Sequence, residues 1–350
     1  MDELPIDESQ KSTHKETCIE CDHPVVLKGY PNALCETCRE NFIKFPIPKW
    51  IKIFAACIGL LLVFSMAKLP GNILTGMHLK KGITAVEEKR FITAQKELEQ
   101  VESSIPDNQE TESYLLLAAY HNRDLVTFIR MFEQLKDKNF EDQELFKMVE
   151  DKINQAHYFF PDDDFNALIQ KNDSNINNIP IDSIEYFLIE FPGNIFALHY
   201  YAGLLANKED YNKCDSTLQQ ILSLNKEYYP ALELMTSVKR QQNLLEESII
   251  YCDKILSLNR ESAFAVASKA RTLLKQKKDI DALTLALKSV ELDKTNPYAT
   301  GSLLLAYHFN NKQKEKSSLL KQIAAIEDTA YLQTIQYAKD VISGKEFFRN

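Results

Sequence analysis

Four alanines at an interval of 34 residues, Ala197, Ala231, Ala265 and Ala299, restrict the fold of this chain more than any other feature. Leu224, Leu258 and Leu292 keep the same interval, and Asn225, Asn259 and Asp293 follow them. A fixed period of this length marks a stacked repeat, in which each unit buries its apolar face only against its neighbours. In the same frame Ala202, Thr236 and Ala270 stand five residues after the alanine, and Cys214, Ser248 and Ala282 stand twelve further on. Small residues at both places let two helices approach closely, so the unit reads as helix-turn-helix. Nine glycines in 350 residues and no long β-branched alternation argue for helices with few tight turns, and the expected class is all-α.

This register resembles the tetratricopeptide repeat (TPR) family. Ahead of the regular copies, Gly82, Phe91, Ala94, Leu98, Val101 and Pro106 also fall in the family's places. Departures are Lys269 where an apolar residue is usual, Thr236 for Gly or Ala, and Lys226, Arg260 and Lys294 at the family's proline. The resemblance implies a TPR-like helical-repeat solenoid: N-terminal helices over 75–160, an irregular connector with a short helix over 161–194, regular repeats over 195–328 and a capping helix over 329–343. It also implies a partner-binding groove on the first helix of each repeat. By register that groove holds Phe196, His199, Glu233, Arg240, Phe264, Arg271, Lys275, Tyr298 and His308. Aromatics with three cations suit an extended or helical peptide bearing acidic groups, so protein or peptide partners are expected and a small-molecule substrate is not.

Residues 50–69, WIKIFAACIGLLLVFSMAKL, predict a single transmembrane helix. Fifteen uncharged, almost wholly apolar residues lie between Lys52 and Lys68. With their flanks they reach the ~20 residues needed to cross a hydrocarbon core. Trp50 and the two lysines sit where interfacial anchors belong. Ser65-Met66-Ala67 has the small-x-small spacing of a cleavage site, but a long leader containing cysteines favours an uncleaved anchor. Basic residues balance across the span, with Arg39, Lys44, Lys49 and Lys52 before it and Lys68, Lys80, Lys81 and Lys89 after it. Charge therefore leaves orientation undecided.

Cys18-Ile-Glu-Cys21 and Cys35-Glu-Thr-Cys38 repeat a Cys-x-x-Cys knuckle with thirteen residues between the pairs. Two knuckles point four thiolates at one centre, a donor set for structural Zn2+ with no open position for catalysis. His23 is an alternative ligand. The stretch 18–41 is similar to zinc-ribbon and treble-clef-like modules, and the four cysteines do not separate the two. Residues 1–17 have too few apolar side chains to order themselves, and His14 belongs to that tail. Clustered thiolates survive best in a reducing compartment, which favours a cytoplasmic N-terminus and an extracytoplasmic repeat region, periplasmic in a Gram-negative bacterium.

The net charge of -9 argues against sequence-independent nucleic-acid binding. There is no Gly-rich phosphate loop, zinc-protease helix or nucleophile elbow, so no catalytic residue is expected. Asp162, Asp163 and Asp164 read as a helix N-cap, and Cys214 and Cys252 as core filler. The expected function is a non-enzymatic, single-pass membrane adaptor or scaffold. Its alternatives are a non-catalytic accessory subunit of a membrane enzyme or envelope-biogenesis complex, and a transmembrane metal- or redox-sensing signalling protein.

Overall fold

The structure is a computed structural model that describes residues 17–43 and 48–349, leaving out the side chains of 43 and 64–70. The expected disordered tail, with His14, lies outside the described residues apart from Thr17. Two compact units divide between Asn72 and Ile73. Seventeen α-helices and two short 3-10 turns form among the described residues, and no strand does.

The first unit holds α1 (Glu36–Ile43) and the start of α2 (Lys49–Glu87). No helix among the described residues is long and apolar enough to cross a membrane. The expected span over 50–69 is therefore not met by them. The side chains of 64–69 lie outside the description, and those of Lys49–Val63 lie within it. Those side chains are nevertheless uncovered on every side: Trp50, Phe54, Leu60, Leu61 and Val63 are each at least 60% exposed.

The second unit is a stack of helix pairs. The last turns of α2 pack on α3 (Phe91–Ser104), followed by the pair α4 (Gln109–Asn122) and α5 (Leu125–Leu135) and by α6 (Gln143–Ala156). Two short helices, α7 (Asp163–Gln170) and α8 (Ile181–Glu190), lead into four further pairs. These are α9 (Ile195–Asn207) with α10 (Tyr211–Leu224), α11 (Tyr229–Gln241) with α12 (Leu245–Leu258), α13 (Ala263–Lys275) with α14 (Asp279–Leu292), and α15 (Pro297–Phe309) with α16 (Gln313–Ala324). Helix α17 (Thr329–Ser343) lies on α15. The chain is thus an all-α helical repeat.

The backbone carries the period as plainly as the side chains do. Glu209, Asn243, Lys277 and Asn311 each turn the chain between the helices of a pair in the left-handed region, with φ of 60, 62, 62 and 57°. Lys89 and Arg123, also 34 apart, do the same at 59°. None of the six is a glycine, so each turn holds an L-residue where it is mildly strained. The small residues do what close approach demands. Ala197, Ala202, Cys214, Ala231, Thr236, Ala265, Ala270, Ala282 and Ala299 are wholly buried. At Gly82 a Cβ would fall 2.6 Å from Leu98 Cγ, so only glycine fits against the buried leucine. Asp162 caps α7 by accepting from Phe165 N at 2.9 Å, as its place before an apolar helix predicts.

One packing choice breaks sequential order. Helices α3 to α6 share their core with Tyr229, Leu232, Ile255 and Ala265, although α7 to α10 intervene in the chain. Adjacent tyrosines form the seam. Tyr229 faces the N-terminal helices, while Tyr228 faces the core of α7 to α11 and donates to Tyr158 O at 3.0 Å. Polar contacts close the joint. Arg260 N donates to Lys89 O at 2.9 Å, Thr93 donates through N and Oγ1 to Glu261, and Arg123 pairs with Glu233.

Candidate metal centre and partner-binding clefts

The N-terminal module is built on its cysteines. Cys18 N donates to His23 O, and Asp22 N closes back on Cys18 O, with Asp22 at a φ of 55°. The second knuckle opens directly into α1, where Arg39 N donates to Cys35 O. The module is therefore knuckle, loop and helix, without the strands of a ribbon. Its core is small: Cys18, Leu34 and Cys35 are buried, with Val26 and Cys38 against them.

Cys18, Cys21, Cys35 and Cys38 bring their four sulfurs within 4.8 Å of one another, and none is in a disulfide. Cys21 Sγ lies 3.6 Å from Cys35 Sγ. A tetrahedron with metal–sulfur bonds of ~2.3 Å needs edges of about 3.8 Å, so the donor set fits a four-coordinate ion. Its electrostatics ask for one. The Cys35 backbone N–H holds the Cys18 thiol down to about 6, whereas hydrogen bonding with Cys21 and Cys35 pushes the Cys38 thiol up. Thiolates this close repel one another, and a cation among them offsets that repulsion. His23 is outside this cluster, and its Nδ1 instead accepts from Val25 N at 3.2 Å.

The residues assigned to a groove by register divide between several places. Glu233, Phe264 and Tyr298 line a cleft of about 690 Å³, faced across it by Gln95, Glu99 and Arg123 of the N-terminal helices. The rings of Phe264 and Tyr298 stack at 4.6 Å. Glu233 is tied to Arg123, although burial pushes its carboxyl up. Arg240, Arg271, Lys275 and Tyr298 meet at a second cleft of about 200 Å³, with Tyr337 and Phe348 as its other wall. Phe196 packs edge-on against Phe165, and His199 edge-on against Tyr228. His308 lies edge-on to Phe309.

Two of the register residues, Arg240 and Arg271, border their cleft from deep in the stack. Arg240 and Arg271 are only 7% and 6% exposed. Arg240 Nη1 donates to Ser268 Oγ at 3.0 Å, and its Nη2 donates to Ser237 Oγ at 3.0 Å and to Tyr298 Oη at 3.1 Å. Arg271 Nε donates to Ser302 Oγ at 2.7 Å, and its guanidinium covers the Tyr298 ring at 3.8 Å. The buried hydroxyls of Thr236, Ser248, Ser268 and Thr272 form one network around Arg240. Thr236 thus departs from Gly or Ala because its hydroxyl has a partner.

Sequence reasoning missed the seam histidine. His121 stacks on Phe91 at 4.0 Å, and its Nδ1 shares a 2.9 Å hydrogen bond with the Tyr229 hydroxyl. Burial pushes its pKa down to about 3, and burial then Arg123 push His199 down to about 4. In the unfolded chain both return to ~6.5. Above that pH neither costs stability. As pH falls below it, the unfolded chain takes up protons that the folded chain refuses, until the folded values are reached. Each histidine then removes about 1.4 kcal/mol per pH unit. Melting should therefore fall between pH 7 and pH 5, and His121→Gln should flatten that slope. An unchanged slope would assign the acid sensitivity elsewhere.

No family model matches this chain, and no curated protein does. Among solved structures, MamA is similar at 14% identity over 53% of this chain and 99% of its own, with a TM-score of 0.36. YrrB, described as a TPR protein with an unusual peptide-binding site, is similar at 14% over 47% of this chain and 84% of its own, with a TM-score of 0.33. Yeast Tom70 is similar at 16% over 73% of this chain and 59% of its own, with a TM-score of 0.36. Overlaps this loose add nothing to the helix pairing that the chain itself displays.

Proposed function

We propose that this chain is a membrane-anchored adaptor that works by binding, with its repeat unit as the docking surface for protein or peptide partners. One observation carries the reading: the stacked Phe264 and Tyr298 open onto a cleft large enough for an extended segment. Three cations stand beside that aromatic shelf, which favours a partner carrying acidic groups. The four-cysteine cluster supports structural Zn2+ in the N-terminal module, held by Cys18, Cys21, Cys35 and Cys38. A core of three buried residues is too small to hold such a module without metal.

The anchor reading rests on the apolar run of 50–69 and on the uncovered apolar side chains of its described part. We place the N-terminal module in the cytoplasm and the repeat unit outside it, because thiolates keep best in a reducing space. Reporters fused after Lys49 and after Asn350 test that assignment.

The docking surface is tested by partner capture with Phe264→Ala combined with Lys275→Glu, helix content being checked by circular dichroism. The expected result is loss of capture with the fold intact. Capture equal to that of the unaltered chain rules out this surface.

A further inference from the structure

The chain treats its buried cations in two ways. Lys239, next to Arg240 in sequence and 6% exposed, lies between Asp215 at 2.6 Å and Glu247 at 2.8 Å. Arg349 is held by Asp279. Arg240 and Arg271 are as deeply buried, yet their partners are hydroxyls and backbone carbonyls. Among the described residues neither they nor Lys275 pairs with a carboxylate. A buried charge without a counter-charge is costly, and here three like charges border one cleft. Burial, and then the charge of Arg240, hold the Lys275 ammonium below its ordinary range. An anion in that cleft would offset the three charges.

We infer that the cleft bordered by Arg240, Arg271 and Lys275 is a subsite for a phosphoryl group carried on a protein partner. The inference rests on the reading of the Phe264–Tyr298 face as a docking surface, and names the chemistry that one part of it selects. Three positive groups balance a phosphoryl ester of about −1.5 to −2 better than a carboxylate of one charge. The hydroxyls of Ser237 and Tyr298 are further donors beside the guanidiniums, which suits a group with three acceptor oxygens. A cleft of about 200 Å³ admits such a group and little else. Tyr298 lines both this cleft and the large one, so a segment lying along the large cleft can reach the cations.

The test is calorimetric titration of the full chain, at constant ionic strength, with an alanine-rich hexapeptide carrying one phosphoserine. Parallel titrations use the same peptide with glutamate, inorganic phosphate, and phosphatidate vesicles. One phosphopeptide should bind per chain, at least tenfold tighter than the glutamate peptide. Lys275→Gln should weaken it about tenfold, whereas Lys314→Gln on the exposed surface should leave it unchanged. Lys275 is half-buried and its ammonium faces the Phe348 ring at 5.3 Å, so this variant retains the fold even where Arg271→Gln does not. Equal affinity for the two peptides overturns the phosphoryl assignment while leaving the docking surface standing. Binding of inorganic phosphate or of vesicles without the phosphopeptide overturns the protein-borne source. No binding of any probe, with partner capture intact, overturns the subsite alone. Loss of capture dependence on Phe264 and Lys275 would remove the docking surface itself.

Discussion

Cys35→Ser is expected to release the metal proposed for the N-terminal module and to unfold residues 18–38, while leaving the melting of the repeat unit where it was. Cys35 is the buried hub of the knuckles. Its sulfur lies against Cys21, its backbone N–H holds Cys18, and its carbonyl receives the first turn of α1. Serine keeps the shape and removes a thiolate, so three donors remain for an ion that needs four. With so little apolar burial, most of the module's stability is the metal's, on the order of 10 kcal/mol for a structural zinc at neutral pH. Two measurements decide the matter: one equivalent of zinc found by elemental analysis in the unaltered chain and lost in the variant, and new protease cleavage confined to 18–38. A chelator should reproduce both. A chain that holds no metal and resists protease equally with and without chelator would refute the zinc reading.

Tyr229→Ala should be the most damaging single change in the repeat unit. The side chain is 3% exposed and fills the space between α4 and α11. Its removal should cost about 3 to 5 kcal/mol as a large-to-small core substitution, with His121 left without its hydroxyl partner. The loss should be uneven. Hydrogen exchange should rise most in Phe91–Ser104 and Gln109–Asn122, and little in Tyr211–Leu224, whose core lies on the Tyr228 side. Tyr229→Phe should recover all but about 1 kcal/mol, since only the hydroxyl is lost. A uniform rise across both cores would mean that the seam is no boundary between them.

The repeat was legible because its signal is local and recurs. Each small residue of the 34-residue frame answers to one helix contact a few residues away, and those contacts are wholly buried. The four cysteines were legible for the same reason, as spacing fixes which sulfurs can share a centre. The seam was not. Arg123 and Glu233 are 110 residues apart, and His121 and Tyr229 are 108 apart. No periodicity says which edge of a stack an earlier pair of helices will choose. Register assigns Arg240 and Arg271 to α11 and α13 but says nothing of their depth. Depth depends on what lies above them, and Tyr337 and Phe348 come from a closing helix and a tail that the repeat frame does not govern.

The seam has a consequence for how the chain is made. The core that contains Ala85 and Leu98 is also completed by Ile255 and Ala265. While the protein is being translated, α3 to α6 emerge with an apolar face whose cover has yet to be synthesised. From the end of α6 at Ala156 the ribosome must add 73 residues to reach Tyr229 and 109 to reach Ala265, which at ~5 to 20 residues per second leaves that face open for roughly 4 to 20 seconds. The helices that emerge meanwhile, α7 to α10, can bury themselves on one another, so they finish before the segment that precedes them. Nascent chains halted before Tyr229 should therefore be the ones that engage chaperones, and release should begin once α11 to α13 have cleared the exit tunnel.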